Sequence, residues 1–166
     1  MNISLHWRAL TPSDLPAVDA IAAIVHPSFP EDTAVLAERA RLYPDGARLL
    51  EIDGTPSGYI LAHPWRFKSL PVLNSLLGAI PADADTFYLH DLALLSAARG
   101  TGAAAMIVGE MLRHARLKQF ATMSLVAVNG SQAFWHKHGF RPVDAPELAD
   151  KLASYDAAAR FMVRTL

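Results

Sequence analysis

The feature that constrains this chain most is a strand that passes through a glycine-rich turn into a long amphipathic helix. A strand is predicted over residues 86–95, the turn contains Gly100-Thr101-Gly102, and a helix is predicted over 101–118. That helix carries one apolar stripe, formed by Ala104, Ile107, Val108, Met111, Leu112 and Ala115. Glycines let a backbone approach an anion without an intervening Cβ, and free amides at a helix start carry a positive partial charge. The segment therefore predicts a phosphate cradle in an α/β protein.

Two common phosphate-binding motifs are excluded at this turn. The GxGxxG dinucleotide fingerprint fails because Gly102 is followed by Ala103, Ala104 and Ala105. The GxxxxGK[ST] phosphate loop fails because no lysine follows Gly102. A nucleotide-dependent oxidoreductase is therefore a weak hypothesis for this chain.

The remaining elements predict a single sheet. Strands are predicted at 3–10, 48–52, 57–63, 86–95, 122–128, 140–143 and 160–166. Helices are predicted at 11–25, 32–43, 101–118 and 131–138, with a short helix at 72–77 and a helical turn at 147–152. The order β-αα-β-β-β-α-β-α-β-β predicts one mixed α/β sheet of about six to seven strands, flanked by about four helices. We expect this sheet to form one domain spanning residues 1–166.

Composition removes several classes of function. Lys+Arg 15 against Asp+Glu 16 gives a net charge of -1, whereas a nucleic-acid binder needs a basic surplus to neutralise phosphates. The chain has no cysteine, which excludes disulfides, thiolate zinc sites and a cysteine nucleophile. No HExxH or similar histidine spacing occurs, so no metal is expected. No segment approaches the roughly 18 apolar residues of a membrane span, and we expect a cytoplasmic protein with no membrane partner.

Three motifs around the glycine turn together resemble the GNAT superfamily of N-acetyltransferases, of the bacterial type. Arg99, Gly102 and Ala104 fill the fixed places of the family's Arg/Gln-x-x-Gly-x-Gly/Ala signature. Upstream, Leu92-Ala93-Leu94 matches the tail of the family's fourth strand, and residues 134–140 resemble its short helix with a Gly-Phe ending. The element order fits along nearly the whole chain, so the resemblance implies a GNAT-like fold.

The resemblance implies that acetyl-CoA is the co-substrate. Backbone amides at the turn should then hold the pyrophosphate of coenzyme A, from Arg99, Gly100, Thr101, Gly102, Ala103 and Ala104. Strand edges at Leu92, Ala93 and Leu94 should face the pantetheine arm. Asn129 should bond this arm too, although the family's asparagine usually stands one residue earlier, at Val128 here. Phe134 and Trp135 should wall the thioester site.

Acetyl transfer needs a neutral amine, and an alkyl ammonium with a pKa near ~10 is protonated at neutral pH, so a base is required. His90 is the first candidate, and its position resembles that of a histidine used as a water-linked base in the arylalkylamine acetyltransferases. Asp91 is the second candidate, but in a regular strand it would face away from His90. The family's thiolate-protonating tyrosine is replaced by Trp135, whose N–H cannot release its proton. Tyr88, on the same strand face as His90, or water would then supply the proton.

The acceptor is an amine of a small molecule or a peptide, and the sequence does not select among these. Without a cysteine, the amine should attack acetyl-CoA directly in a ternary complex. Glu31 and Asp32 either attract an ammonium or favour a helix N-terminus, and the second role is preferred. The missing tyrosine leaves a second hypothesis, in which the chain binds coenzyme A as a sensing module without chemistry. A homodimer is left open.

Overall fold

The computed structural model describes residues 2–166, in which seven strands form one sheet of order β1-β2-β3-β4-β5-β7-β6. The strands are β1 Leu5–Ala9, β2 Ala47–Ile52, β3 Thr55–Trp65, β4 Thr86–Leu94, β5 Thr122–Ala127, β6 Arg141–Pro142 and β7 Arg160–Thr165. The helices within these residues are α1 Leu15–Val25, α2 Thr33–Leu42, α3 Ala103–Leu117, α4 Gln132–Lys137 and α5 Ala149–Tyr155. Short 3-10 turns lie at Pro12–Asp14, Pro44–Gly46, Ser96–Ala98 and Pro146–Leu148.

This architecture confirms the predicted single mixed sheet and its element order. One difference is that α5 is a full helix where only a helical turn at 147–152 was expected. The helix predicted at 72–77 is wrong. The chain makes a turn there, because Asn74 adopts a positive φ of 52°, which an α-helix cannot contain.

The sheet separates two apolar clusters. One cluster joins α3 to the strands and includes Phe87, Leu89, Ile107 and Met111. The other joins α1 and α2 to the opposite face and includes Val18, Leu36, Tyr59 and Ala93. Burial on both faces fixes the strands of the sheet, so the elements that carry functional groups are held rigidly.

Helix α1 is anchored at its start and ends beside the centre of the sheet. The backbone N–H of Thr11 donates to the Asp14 carboxylate at 2.8 Å, and Arg8 donates to both Asp14 oxygens at 2.7 and 2.8 Å. The helix ends at His26, where φ of -122° and ψ of 55° leave the helical region and Pro27 follows. His26 is therefore placed at a fixed point rather than on a long loop.

Strands β4 and β5 form the parallel pair of the sheet, and they separate after a short contact. Their paired residues are Phe87 with Met123 and Tyr88 with Ser124. Hydroxyl contacts fasten the closed end, since Thr86 Oγ1 lies 2.9 Å from Thr122 Oγ1 and 3.0 Å from Ser124 Oγ. Beyond this point the strands diverge, which opens a gap in the middle of the sheet.

A bulge interrupts β4 at the start of this gap. Leu61 and Ala62, which are consecutive in β3, pair with Asp91 and Leu89, so His90 is the extra residue of β4. The bulge reverses the alternation after His90. The expectation that His90 and Asp91 face opposite sides is therefore wrong, because it assumed a regular strand.

Candidate functional site

Two cavities meet where β4 and β5 separate. The turn cavity, of about 460 Å³, lies between the diverging strands, the glycine turn and α4. The α1 cavity, of about 600 Å³, lies beneath α1 and the segment that joins it to α2. Both are lined by the same junction residues, namely His26, His90, Asp91, Val126 and Val128. A molecule in one cavity can therefore touch a molecule in the other.

The turn cavity brings together most residues predicted to bind a cofactor: Leu92, Leu94, Arg99, Gly100, Gly102, Ala103, Ala104, Asn129, Phe134 and Trp135. Ala93 lies elsewhere, because after the bulge its side chain packs in the α1 cluster with no exposed surface. The Thr101 side chain also turns away, since its hydroxyl donates to the Ala98 carbonyl at 2.5 Å. Thr101 can therefore offer only its backbone amide to a ligand.

Some backbone amides of the glycine turn are already hydrogen-bonded to protein acceptors, and others are not. The amide of Arg99 already donates to the Ser96 carbonyl at 3.2 Å, and that of Ala103 donates to Thr101 Oγ1 at 3.3 Å. Within residues 2–166 the amides of Gly100, Thr101, Gly102 and Ala104 have no protein acceptor. The predicted cradle from Arg99 to Ala104 therefore has fewer free amide donors than the sequence indicated.

The two glycines of the turn have backbone conformations that other residues rarely adopt. Gly100 has φ of 73° and Gly102, which caps α3, has φ of 85°. A Cβ added at either would meet no protein atom within 4 Å, so protein packing does not demand glycine here. The open space above the turn and the free amides at the positive end of α3 suit a diphosphate.

His90 forms one imidazole–carboxylate pair at the junction. Its Nε2 lies 2.9 Å from Glu31 Oε1, and the other oxygen of Glu31 accepts the Asn74 amide at 3.3 Å. The preferred role of Glu31 as a helix-terminal residue is therefore wrong. Burial would raise the pKa of Glu31, but His90 and Arg39 outweigh burial and lower it below its ordinary value. Because a carboxylate only accepts, Nε2 of His90 carries the proton and Nδ1 is left for a substrate.

His26 forms a second imidazole–carboxylate pair that the sequence did not reveal. Its Nε2 lies 2.7 Å from Asp91 Oδ1, while the Tyr59 hydroxyl donates to Asp91 Oδ2. Burial lowers the pKa of His26, but the hydrogen bond to Asp91 and the charges of Asp91 and Glu31 together outweigh burial and raise the pKa above its ordinary value. Asp91, predicted as a second base, accepts bonds on both oxygens and is placed to orient His26.

The aromatic residues considered for proton donation lie on different sides of the junction. Tyr88 lines the α1 cavity and not the turn cavity, and burial raises its pKa well above 10.0. Trp135 lines the turn cavity and packs edge-on against Phe134 at 4.8 Å and Phe140 at 5.6 Å between ring centroids. Trp135 therefore acts as a wall of the turn cavity.

The α1 cavity is apolar with acidic groups. Aromatic, proline and aliphatic side chains form most of its lining, including Phe29, Tyr155, Pro71 and Leu36. The groups in its lining that can be charged near neutral pH are the carboxylates of Asp19, Glu31, Asp32 and Asp91 and the imidazoles of His26 and His90, which pair with Asp91 and Glu31. Among the described lining residues there is no lysine or arginine, so carboxylates outnumber the groups that can carry a positive charge. Such a cavity attracts a cation with an apolar body.

The described residues also bear on metal binding and on membrane insertion. In the part of the chain that the structure describes, no group of three or more histidine, aspartate or glutamate side chains is arranged to hold a metal ion. None of the helices described here has the length and apolar character needed to cross a bilayer.

The sequence and the fold were compared with known proteins. Residues 14–140 match the family model described as acetyltransferase (GNAT) family. No curated protein matches the chain in sequence. The fold is similar to the loading GNATL domain of CurA from Lyngbya majuscula, with TM-score 0.80 and 13% identity over 98% of both chains.

Two other solved structures are similar in fold. The GphF GNAT-like decarboxylase in complex with isobutyryl-CoA has TM-score 0.76 and 19% identity, covering 96% of this chain and 98% of that one. Arabidopsis thaliana Naa50, in complex with the bisubstrate analogue CoA-Ac-MVNAL, has TM-score 0.72 and 15% identity, covering 98% and 99%.

Proposed function

Because the chain belongs to the GNAT family of acetyltransferases, we propose that it transfers an acetyl group from acetyl-CoA to an amine. The acceptor is a small molecule or a peptide, and its amine attacks the thioester directly in a ternary complex. The observation that carries this proposal is the junction, where both cavities are lined by His26, His90 and Asp91. A donor in the turn cavity and an acceptor in the α1 cavity would meet there.

The donor side rests on the glycine turn and the free edge of β4. The amides of Gly100, Thr101, Gly102 and Ala104 would donate to the diphosphate of coenzyme A, each charge-assisted bond contributing about 1.5–3 kcal/mol. Beyond Tyr88 the β4 edge has no β5 partner in the described chain, so its backbone groups can bond the amides of the pantetheine arm. The arm would thus lie as an added strand in the gap.

The acceptor side rests on the acidic α1 cavity and on His90. Carboxylates such as Asp19 and Asp32 would attract an ammonium, which must lose a proton before the nitrogen can attack. Nδ1 of His90 would take this proton, because Glu31 holds the opposite nitrogen and fixes the ring. The remaining catalysis is positioning, since the two substrates are held at one point.

The second candidate is a coenzyme A-binding module without chemistry. Trp135 at the family's usual tyrosine position favours this reading, because an indole cannot protonate a thiolate. The two candidates share the donor site and differ only in turnover.

A thiol-release assay separates the two candidates. Since the protein has no cysteine, a thiol reagent detects released coenzyme A without a protein background. Acetyl-CoA is incubated with tyramine, spermidine and a short peptide with a free N-terminus, and binding is measured by calorimetry. Binding with amine-dependent thiol release supports the transferase. Binding without release for any amine supports the module, and absence of binding contradicts both.

A further inference from the structure

The proposed transferase needs an acid that protonates the departing thiolate, and the turn cavity offers few groups. The ionisable side chains lining this cavity, among the residues described, are His26, His90, Asp91 and Arg99. A guanidinium does not release its proton, and Asp91 is a carboxylate that accepts two hydrogen bonds. His90 is already assigned as the base that takes the proton of the amine. This leaves the imidazole of His26.

We infer that His26 is a second catalytic residue, whose imidazolium protonates the sulfur of coenzyme A as the thioester breaks. This inference rests on the proposed function and assigns the step that Trp135 cannot perform. His26 is placed for it because it lines both cavities at the junction and is held by Asp91 at 2.7 Å. Tyr59 in turn fixes Asp91, so the ring has one orientation.

The charges around His26 favour its protonated form. Asp91 from β4 contacts the ring, and Tyr59 from β3 contacts Asp91. Glu31, from the segment before α2, also acts on the ring electrostatically and raises its pKa. Asp19 of α1 and His90 of β4 line the same cavity. Because Asp91 accepts a hydrogen bond from Nε2–H, the imidazolium directs its Nδ1–H away from Asp91, and Nδ1 has no protein partner within residues 2–166.

Proton transfers at the two imidazoles balance the reaction. An ammonium gives one proton to Nδ1 of His90, and the neutral nitrogen attacks the thioester carbonyl carbon. As the C–N bond forms and the C–S bond breaks, the sulfur takes the proton from Nδ1 of His26. The nitrogen loses its second proton to solvent. The proton that His90 took from the ammonium then passes through water to His26. One proton is released in total, and both rings return to their starting states.

The test is His26→Gln, assayed by thiol release with tyramine and with hydroxylamine, after subtraction of the uncatalysed release measured without protein. Hydroxylamine is small and largely unprotonated at neutral pH, so its reaction depends little on a base but still requires protonation of the sulfur. We expect kcat to fall by about 100-fold or more with both acceptors, as for loss of a general acid. The alkaline limb of the kcat–pH profile should disappear. The matched control is His6→Gln on β1, an exposed histidine far from the junction, which should leave kcat unchanged.

A second variant keeps the inference testable if His26→Gln does not fold. Asp91→Asn keeps the side-chain shape but removes the charge that favours the imidazolium, so the alkaline limb of the kcat–pH profile should move to lower pH. Wild-type kcat in His26→Gln, or an unmoved limb in Asp91→Asn, overturns the inference and leaves the proposed function intact. A wild-type protein that releases no thiol above the uncatalysed rate with tyramine, spermidine, the peptide or hydroxylamine overturns both.

Discussion

At the scale of single residues, the protonation state of the buried His63 imidazole determines whether a positive charge lies next to His90. Its ring centroid lies 5.4 Å from that of Trp65, 5.7 Å from that of Tyr88 and 6.3 Å from that of His90. Nδ1 donates to the Pro64 carbonyl at 2.9 Å, so Nε2 is unprotonated. Burial lowers the pKa of His63 to about 3. His63 therefore stays neutral near pH 7 and places no positive charge beside His90.

The lowered pKa of His63 predicts a pH-dependent loss of stability. Below pH 6.5 an unfolded chain binds a proton on this histidine, whereas the folded chain does not until about pH 3. The free energy of unfolding should therefore fall as the pH falls through this window, by roughly 4–5 kcal/mol in all. His26 acts with the opposite sign, since its raised pKa removes stability as the pH rises above 6.5.

Urea unfolding of wild type and His63→Asn between pH 3 and 7 measures this effect. Asparagine can keep the donor to the Pro64 carbonyl and does not titrate, so the stability lost through the substitution itself should not depend on pH. The two stability curves should converge as the pH falls. His114 and His138 also have lowered pKa values, but both are present in both proteins and cancel in the difference. Parallel curves would show that His63 titrates normally.

Residue types and residue partners differ in how far the sequence reveals them. His90 could be proposed as a base because its chemistry and its place on a strand are local properties. Its partner Glu31 is 59 residues away, and His26 and Asp91 are separated by 65. Such contacts arise when α1 packs on the sheet, and no spacing along the chain encodes them. The predicted helix-terminal role of Glu31 is wrong for this reason.

At the scale of elements, the strand–turn–helix unit is largely readable because its causes are local. Glycines at 100 and 102 indicate positive φ, and the stripe on α3 indicates which face is buried. The bulge in β4 was not readable, since it occurs at His90 without a glycine or proline to mark it. Its position depends on pairing with β3, which is a tertiary property.

The turn also yields a sharp binding prediction. Gly102→Glu should weaken coenzyme A binding by roughly 100-fold or more, because a carboxylate at the proposed diphosphate site places like charges together at a cost of several kcal/mol. Gly54→Glu is the matched control, since Gly54 also has positive φ, 81° against 85°, and open space around its Cβ position. Gly54 lies in the β2–β3 hairpin and lines neither cavity.

Calorimetry with coenzyme A compares the two variants at equal temperature and salt. Backbone strain should lower the stability of both by a similar amount, so a difference in affinity reports the site itself. Equal affinities in two folded variants would mean that the diphosphate binds elsewhere.

At the scale of the whole molecule, the gap between β4 and β5 brings together residues that lie in separate segments of the sequence. Element order was enough to predict one mixed sheet, because each element must bury one face against another. The same order could not show that two cavities meet at His26, His90 and Asp91, since their meeting depends on how far the strands diverge. The proposed function therefore depends on the shape of the sheet as well as on its motifs.

The acidic lining of the α1 cavity predicts which amines the proposed transferase would accept. A cationic amine with an apolar body matches the lining, but an amino acid brings a carboxylate that no lysine or arginine among the described lining residues can neutralise. The imidazoles of His26 and His90 are already paired with Asp91 and Glu31. Desolvating that carboxylate beside Asp19, Glu31 and Asp32 should cost several kcal/mol. Tyramine and tyrosine differ only by this group, as do phenethylamine and phenylalanine, so kcat/KM should be at least about 100-fold higher for the amine of each pair. Thiol release measures all four, and equal values within a pair would show that the carboxylates of the cavity do not select the acceptor.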